Sequence, residues 1–238
     1  MRIAMWSGPR NLSTAMMYSF AARADTVVWD EPFYAAYLDT TGIDHPMRDQ
    51  IIAEHDPDPE RIASICKGPV PRGQRYFYQK HMAMHMVDGF DRRWMRSCRN
   101  VFLIRHPARV MASYAKKREG ATLEDIGFIQ QEQLFNEVSD WSGETPLVID
   151  SDDIRADPAD LLQKLCRALD IPFTRKMLHW PAGGNDADGI WASHWYGAVH
   201  RSTGFDGAEG AVPALGGAYA EIAAQALPYY DRLCAYKL

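Results

Sequence analysis

The stretch Ile3-Ala4-Met5-Trp6-Ser7-Gly8-Pro9-Arg10-Asn11-Leu12-Ser13-Thr14-Ala15-Met16-Met17-Tyr18-Ser19-Phe20 decides how this 238-residue chain folds. A short apolar strand runs into a Gly-Pro turn. One basic residue, two adjacent hydroxyls and a helical apolar pattern follow. That order builds a phosphate-cradling loop. The helix that begins near Leu12 turns its free N–H groups and the positive end of its dipole back toward the loop. Arg10 adds a fork of donors that matches phosphate oxygens, and Ser13 and Thr14 add hydroxyl donors. The pattern G-x-x-x-x-G-K-[ST] is absent, and with it the lysine that reaches the terminal phosphates of a nucleoside triphosphate. Taken alone, the stretch also reads as a plain strand-turn-helix with Asn11 as the cap.

A second stretch narrows the choice. Asn100-Val101-Phe102-Leu103-Ile104 has the continuous apolar run of a buried strand, and after a break Pro107 starts a helix in the stretch that runs to Lys117. Arg105 leaves the carboxyl end of that strand, where open α/β sheets bind ligands. Ser113 follows about two turns into the helix. The plainer alternative pairs Arg105 with an acidic neighbour and makes Ser113 a packing residue.

Together these stretches resemble the two nucleotide-binding elements of the sulfotransferase family. Pro9, Arg10, Ser13 and Thr14 fit its first loop, while Asn11 and Leu12 stand where the family has Ser-Gly. Leucine does not take a positive φ cheaply, so the loop is expected to differ there in detail. Arg105 and Ser113 keep the spacing of the second element. A third block, Pro146 to Ile154 followed by Asp157-Pro158 and a helix ending at Asp170-Ile171-Pro172, is similar to the family's late strand and helix. The resemblance implies a three-layer α/β sandwich with a mostly parallel sheet, P-loop-like at its nucleotide site. It implies PAPS (3′-phosphoadenosine 5′-phosphosulfate) as sulfuryl donor, PAP (adenosine 3′,5′-bisphosphate) as product, and no metal. Residues 9–14 would hold the 5′-phosphate, and Arg105 with Ser113 the 3′-phosphate. The acceptor would be a hydroxyl or amine of a small molecule or glycan. Arg201, Ser202, Thr203 and Gly204 occupy the place of the family's late mobile segment and are expected over the nucleotide or the acceptor.

Sulfuryl transfer needs an aligned acceptor, donors for the charge growing on the leaving phosphate, and a base. Arg10 serves the leaving group. Two residues compete as base. Glu31 follows the strand Thr26–Trp29, in the early glutamate position of some bacterial carbohydrate sulfotransferases. His81 follows Lys80 at the end of a strand expected over Tyr76–Lys80, one residue short of the Lys-x-His of cytosolic sulfotransferases. His81 is favoured, because histidine titrates near neutral pH untuned and Lys80 beside it can neutralise the bridging oxygen. His85 would share a helical face with His81, but no third ligand has metal-site spacing.

Composition sets the frame. A net charge of −5 excludes bulk nucleic-acid binding, so the positive potential must be local. Arg105, Arg109, Lys116, Lys117 and Arg118 supply it. Four cysteines stand far apart, which reads as reduced thiols in a cytoplasmic protein. No signal peptide and no membrane span are expected. The expected organisation is one domain over residues 1–238. Helices fall at 12–23, 122–142 and 217–236, broken helices at 34–75, and a Gly-rich loop at 181–213. Two further readings stay open: a nucleotide kinase or related phosphotransferase, and a catalytically silent nucleotide-binding protein of the same fold.

Overall fold

The computed structural model describes residues 1–115 and 120–238, so Lys116, Lys117 and Arg118 of the expected basic cluster lie outside the described residues. Five strands form one sheet: β1 (Arg2–Ser7), β2 (Thr26–Asp30), β3 (Tyr76–Met82), β4 (Arg99–Ile104) and β5 (Leu147–Asp150). Their order is β2-β3-β1-β4-β5, and every pair is parallel. The apolar sequences of β1 and β4 follow from this, since a parallel sheet is covered on both faces.

One face packs against α1 (Ser13–Ala21) and α8 (Pro158–Ala168). Ile3, Met5, Val101, Leu103 and Ile149 meet Met16, Phe20, Leu162 and Leu165 there. The other face packs against α4 (Pro59–Cys66), α5 (Pro107–Tyr114), α6 (Phe128–Ser142) and α10 (Gly217–Cys234). On that side Trp6, Phe102 and Ile104 meet Met111, Phe135 and Ala226. Period-two alternation along each strand divides the apolar residues between the two cores. The result is a three-layer α/β sandwich with a parallel sheet.

The remaining helices are α2 (Tyr34–Thr41), α3 (Arg48–Glu54), α7 (Ser151–Ala156) and α9 (Ala192–Trp195). Two departures from the sequence reading matter. The helix expected from residue 122 begins only after Gly127, whose φ of +71° ends a preceding 3₁₀ turn at Glu124–Ile126. The Gly-rich stretch 181–213 is not a bare loop. It carries α9, and Asp188 pins it by accepting from Tyr18 Oη at 2.5 Å and pairing with His200 Nε2 at 3.1 Å.

The carboxyl ends of β1 and β4 lie side by side, with Ser7 paired to Leu103. Gln131 of α6 fastens them, donating to Trp6 O at 3.2 Å and Leu103 O at 2.8 Å. Gly8 begins the loop beyond β1 at a point of close approach. A Cβ there would stand 2.5 Å from Ile126 O.

Candidate active site

A cavity of about 290 Å³ opens at the carboxyl edge of the sheet. Residues 9–15 form its floor, and Arg105, Arg155, Glu31, Tyr34, Lys80 and Tyr196 line it as well. Both stretches singled out in the sequence therefore meet in one place.

The floor is a helix N-terminus left open. Leu12 caps α1 with no side-chain hydrogen bond, and the first turn holds no acidic residue. Asn11 is not the cap. Its amide instead donates to Leu103 O at 3.3 Å, tying the loop to β4. Leu12 does adopt the left-handed backbone that its side chain disfavours, at φ +70°, and Arg10 sits at φ +62°. Each such residue stores about 1–2 kcal/mol of strain, and strain of this kind concentrates where function holds it in place. Ser13, Thr14 and Ala15, the first residues of α1, line the cavity.

Arg10 and Arg105 both line the cavity. Arg10 Nε donates to Ser113 Oγ at 3.0 Å, and its Nη1 donates to Trp195 O at 3.2 Å. Arg105 Nη1 donates to Arg10 O at 2.6 Å. Arg105 Nη2 reaches Glu209, while Arg105 Nε is buried without an acceptor. Ser113 is thus engaged by Arg10 rather than by Arg105. Burial, then the charge of Arg105, press the Arg10 guanidinium below its ordinary pKa. Such a site is electropositive and suited to an anion.

The cavity is also lined by a buried charge network. Lys80 Nζ lies 2.8 Å from Asp30 Oδ1, 2.5 Å from Glu31 Oε1 and 2.6 Å from Tyr196 Oη, so its three protons have three acceptors. Tyr196 Oη lies 2.8 Å from Asp30 Oδ2, and Trp191 Nε1 donates to the same oxygen at 3.1 Å. Burial would lower the lysine, but Asp30 and Glu31 carry it above its ordinary value, so it is charged. Burial raises Glu31 above the usual carboxylate range. Lys80 opposes that rise and Asp30 adds to it. Glu31 also sits at φ +40°, a third strained residue on the cavity wall.

His81 is placed elsewhere. β3 runs through Met82, so Lys80 and His81 are neighbours within a strand and point to opposite faces. Lys80 lines the cavity. His81 stacks on Trp6 with ring centroids 4.5 Å apart, contacts Trp94 at 5.1 Å, and meets Gln79 Oε1 at 3.2 Å. Burial, then Lys80, lower it to about 3, so it is neutral. Nor do His81 and His85 share a helical face. His85 closes a 3₁₀ turn at Ala83–His85, lies between the rings of Tyr34 and Tyr37, and lines the cavity. Among the described residues no group of three or more acidic, histidine or cysteine side chains is arranged to hold a metal ion.

The late segment is only partly at the cavity. Ser202 and Gly204 line it, but Arg201 is exposed on a 3₁₀ turn and does not. Ser202 Oγ is committed to Trp180 Nε1 at 3.1 Å and Val199 O at 2.7 Å, and Thr203 O accepts from Trp180 N. Sequence reasoning missed Asp30, Tyr196, Trp191, Arg155 and Glu209. The only hint was aromatic density, Trp191 to Tyr196, inside an otherwise Gly-rich stretch.

Comparison with known proteins agrees with this architecture. Residues 1–237 match the family described as sulfotransferase domain. Two solved structures share the fold. The sulfotransferase domain from the Synechococcus PCC 7002 olefin synthase superposes with a TM-score of 0.56 at 16% identity, covering 94% of both chains. The sulfotransferase domain from the curacin biosynthetic pathway gives 0.57 at 15% identity, over 94% of this chain and 96% of that one. Among curated sequences, branched-chain-amino-acid aminotransferase-like protein 2 of Arabidopsis thaliana is 34% identical over 96% of this chain, and protein 1 is 38% identical over 84%. This chain spans only 40% and 36% of their respective lengths. The match over nearly the whole chain, on a fold shared with solved sulfotransferase domains, places this chain in the sulfotransferase family.

Proposed function

We propose that this chain transfers a sulfuryl group from PAPS to a hydroxyl or amine of a small molecule or glycan, with Glu31 as the base. The observation that carries this reading is the make-up of the cavity. A raised, buried carboxylate beside a fully hydrogen-bonded ammonium shares one cavity with an open helix N-terminus and two arginines.

The residues present fit the donor. The uncapped α1 amides and Arg10 suit the 5′-phosphate, and Arg105 lines the same cavity with its Nε buried and unpartnered. PAPS, when bound, supplies the sulfuryl group and leaves as PAP. Arg10 and the α1 amides meet the charge that grows on the leaving phosphate. Lys80 stays protonated and in position because Asp30, Glu31 and Tyr196 hold all three of its protons. Glu31 accepts the acceptor's proton, and its raised affinity for protons suits that role. Asp30 supports Lys80 and Tyr196 rather than facing the cavity. His81, neutral and on the far side of the sheet, contributes packing.

The test is thermal unfolding with PAP, AMP and ATP in the presence of a chelator. PAP is expected to raise Tm without Mg²⁺ and more than AMP or ATP, because stabilisation scales with occupancy of the folded state. Arg105→Ala is expected to cost PAP about 10- to 150-fold in affinity, the loss of charge-assisted bonds of roughly 1.5–3 kcal/mol, and to cost AMP far less. ATP stabilising best, and only with Mg²⁺, would favour a phosphotransferase.

A further inference from the structure

His85 takes no part in the transfer, yet it lines the cavity and is only 2% exposed. Its ring is clamped between those of Tyr34 and Tyr37, with centroids 4.6 Å and 4.8 Å away and interplanar angles of 14° and 25°. Burial, then the charges of His45, Lys80 and His81, hold it well below its ordinary pKa, so it is neutral. A neutral imidazole carries one N–H donor and one bare acceptor nitrogen. Nδ1 is shut away with no hydrogen-bond partner, and Nε2 makes no hydrogen bond among the described residues either. A sealed-off N–H is rarer than a sealed-off acceptor, so the proton belongs on Nε2. A buried polar group left in this state is costly unless a ligand completes it.

His85 belongs to a chain of ring contacts. Tyr34 meets His45 edge-on at 5.5 Å, His45 lies against Trp195 at 5.6 Å, and Trp195 runs parallel to Tyr114 within 4° at 6.3 Å. All of these rings line the cavity. The chain begins beside the base, because Tyr34 N donates to Glu31 O at 3.0 Å. We propose that this aromatic cluster is the acceptor subsite, that it takes a flat aromatic alcohol carrying a second oxygen, and that His85 selects that oxygen by donating to it from Nε2. This rests on the reading of the cavity as a sulfuryl-transfer site with Glu31 as base.

The polar groups of these walls decide against a sugar. Tyr34 Oη is engaged with His45 Nδ1, Tyr196 Oη with Asp30, Glu31 and Lys80, and Trp195 O with Arg10. A sugar would bring several hydroxyls to groups already engaged, and each one left unpaired on burial weakens binding. An aromatic ring brings flat faces, which ring walls favour beyond the area buried. Met82 and Met84 add soft apolar surface to the same cavity. One further oxygen on the ligand ring is then met by His85. The clamp of Tyr34 and Tyr37 fixes the direction of the imidazole, so one position of that oxygen is preferred.

Calorimetric titrations with phenol, the three dihydroxybenzenes, cyclohexanol and methyl glucoside test this, with PAP titrated separately. In wild type the best dihydroxybenzene is expected to bind at least about 3-fold tighter than phenol, the worth of one hydrogen bond. Cyclohexanol is expected to bind at least about 2-fold more weakly than phenol, and methyl glucoside at least about 10-fold more weakly than the best dihydroxybenzene. His85→Phe keeps a ring between Tyr34 and Tyr37 and removes both nitrogens. It is expected to bind phenol as wild type does and to lose the preference for the second hydroxyl. His85→Leu is expected to lose that preference too, so a single badly packed variant does not decide the outcome. Equal affinities for phenol and all three dihydroxybenzenes in wild type, or an undiminished preference in both variants, would overturn the subsite even with PAP binding intact. The preference appearing without any PAP binding would keep the subsite and sink the donor reading instead.

Discussion

Replacing Lys80 with methionine isolates the network that sets up Glu31. Methionine keeps the apolar length of the side chain and removes only the ammonium. Lys80 is fully buried and bonds two carboxylates and Tyr196. Two charge-assisted bonds at roughly 1.5–3 kcal/mol each give about 3–6 kcal/mol gross. Breaking a buried ion pair from one side costs about 3–5 kcal/mol net, because the remaining charge is left without its counter-ion. Lys80→Met is therefore expected to lose about 3–5 kcal/mol near pH 8. Against a typical total of about 5–15 kcal/mol, that is a large share. The sign of the pH dependence follows from Glu31. Its folded pKa is raised, so its burial weakens the fold as pH rises through that value. Without Lys80 the rise is larger, so the gap between variant and wild type is expected to widen with pH and shrink on acidification. Urea unfolding at several pH values, extrapolated linearly, reads both quantities. A gap under about 1 kcal/mol at every pH would refute the reasoning, since one lost neutral hydrogen bond would account for it.

Two further outcomes follow from local geometry. His81→Asn is expected to flatten the loss of stability on acidification. The unfolded histidine takes a proton near pH 6.5, while the folded one resists until about 3, so the native protein loses up to about 1.4 kcal/mol per pH unit across that window and the variant does not. Parallel pH profiles from urea unfolding would show that His81 is not held neutral. At Leu12, where φ is +70°, Leu12→Gly is expected to cost less stability than Leu12→Val, although valine keeps more apolar surface. The reverse order of midpoints would show that apolar contact outweighs backbone strain there.

How far the residues disclosed the site depended on whether its partners are local. The strand–loop–α1 unit was legible because its strand pattern, turn and helix pattern are contiguous. Ile104-Arg105-x-Pro107 was legible for the same reason. Lys80 and His81 were misjudged because the strand runs two residues further than expected. A strand ending at Lys80 leaves His81 free to face the ligand, whereas a strand running to Met82 turns it to the opposite core. Tyr196 and Trp191 reach Asp30 across more than 160 positions of sequence. No local pattern announces such a contact, and only the packing of α9 against the α2 region creates it. Arg201, expected over the nucleotide or the acceptor, is exposed and away from the cavity, whereas Arg105 just beyond β4, Arg109 of α5 and Arg155 of α7 are the arginines that touch the late segment.

The assignment of the base is tested most directly by Glu31→Gln, a substitution that keeps the side chain's shape and removes its basicity. PAP release from PAPS is followed with a panel of simple phenols, alcohols and amines, alongside PAP affinity. Wild-type turnover is expected to rise with pH through a value above the ordinary carboxylate range, as Glu31 loses its proton. Glu31→Gln is expected to fall at least about 100-fold in turnover, the usual contribution of a general base, with PAP affinity within a few-fold of wild type. A Glu31→Gln enzyme that turns over at the wild-type rate would contradict the account.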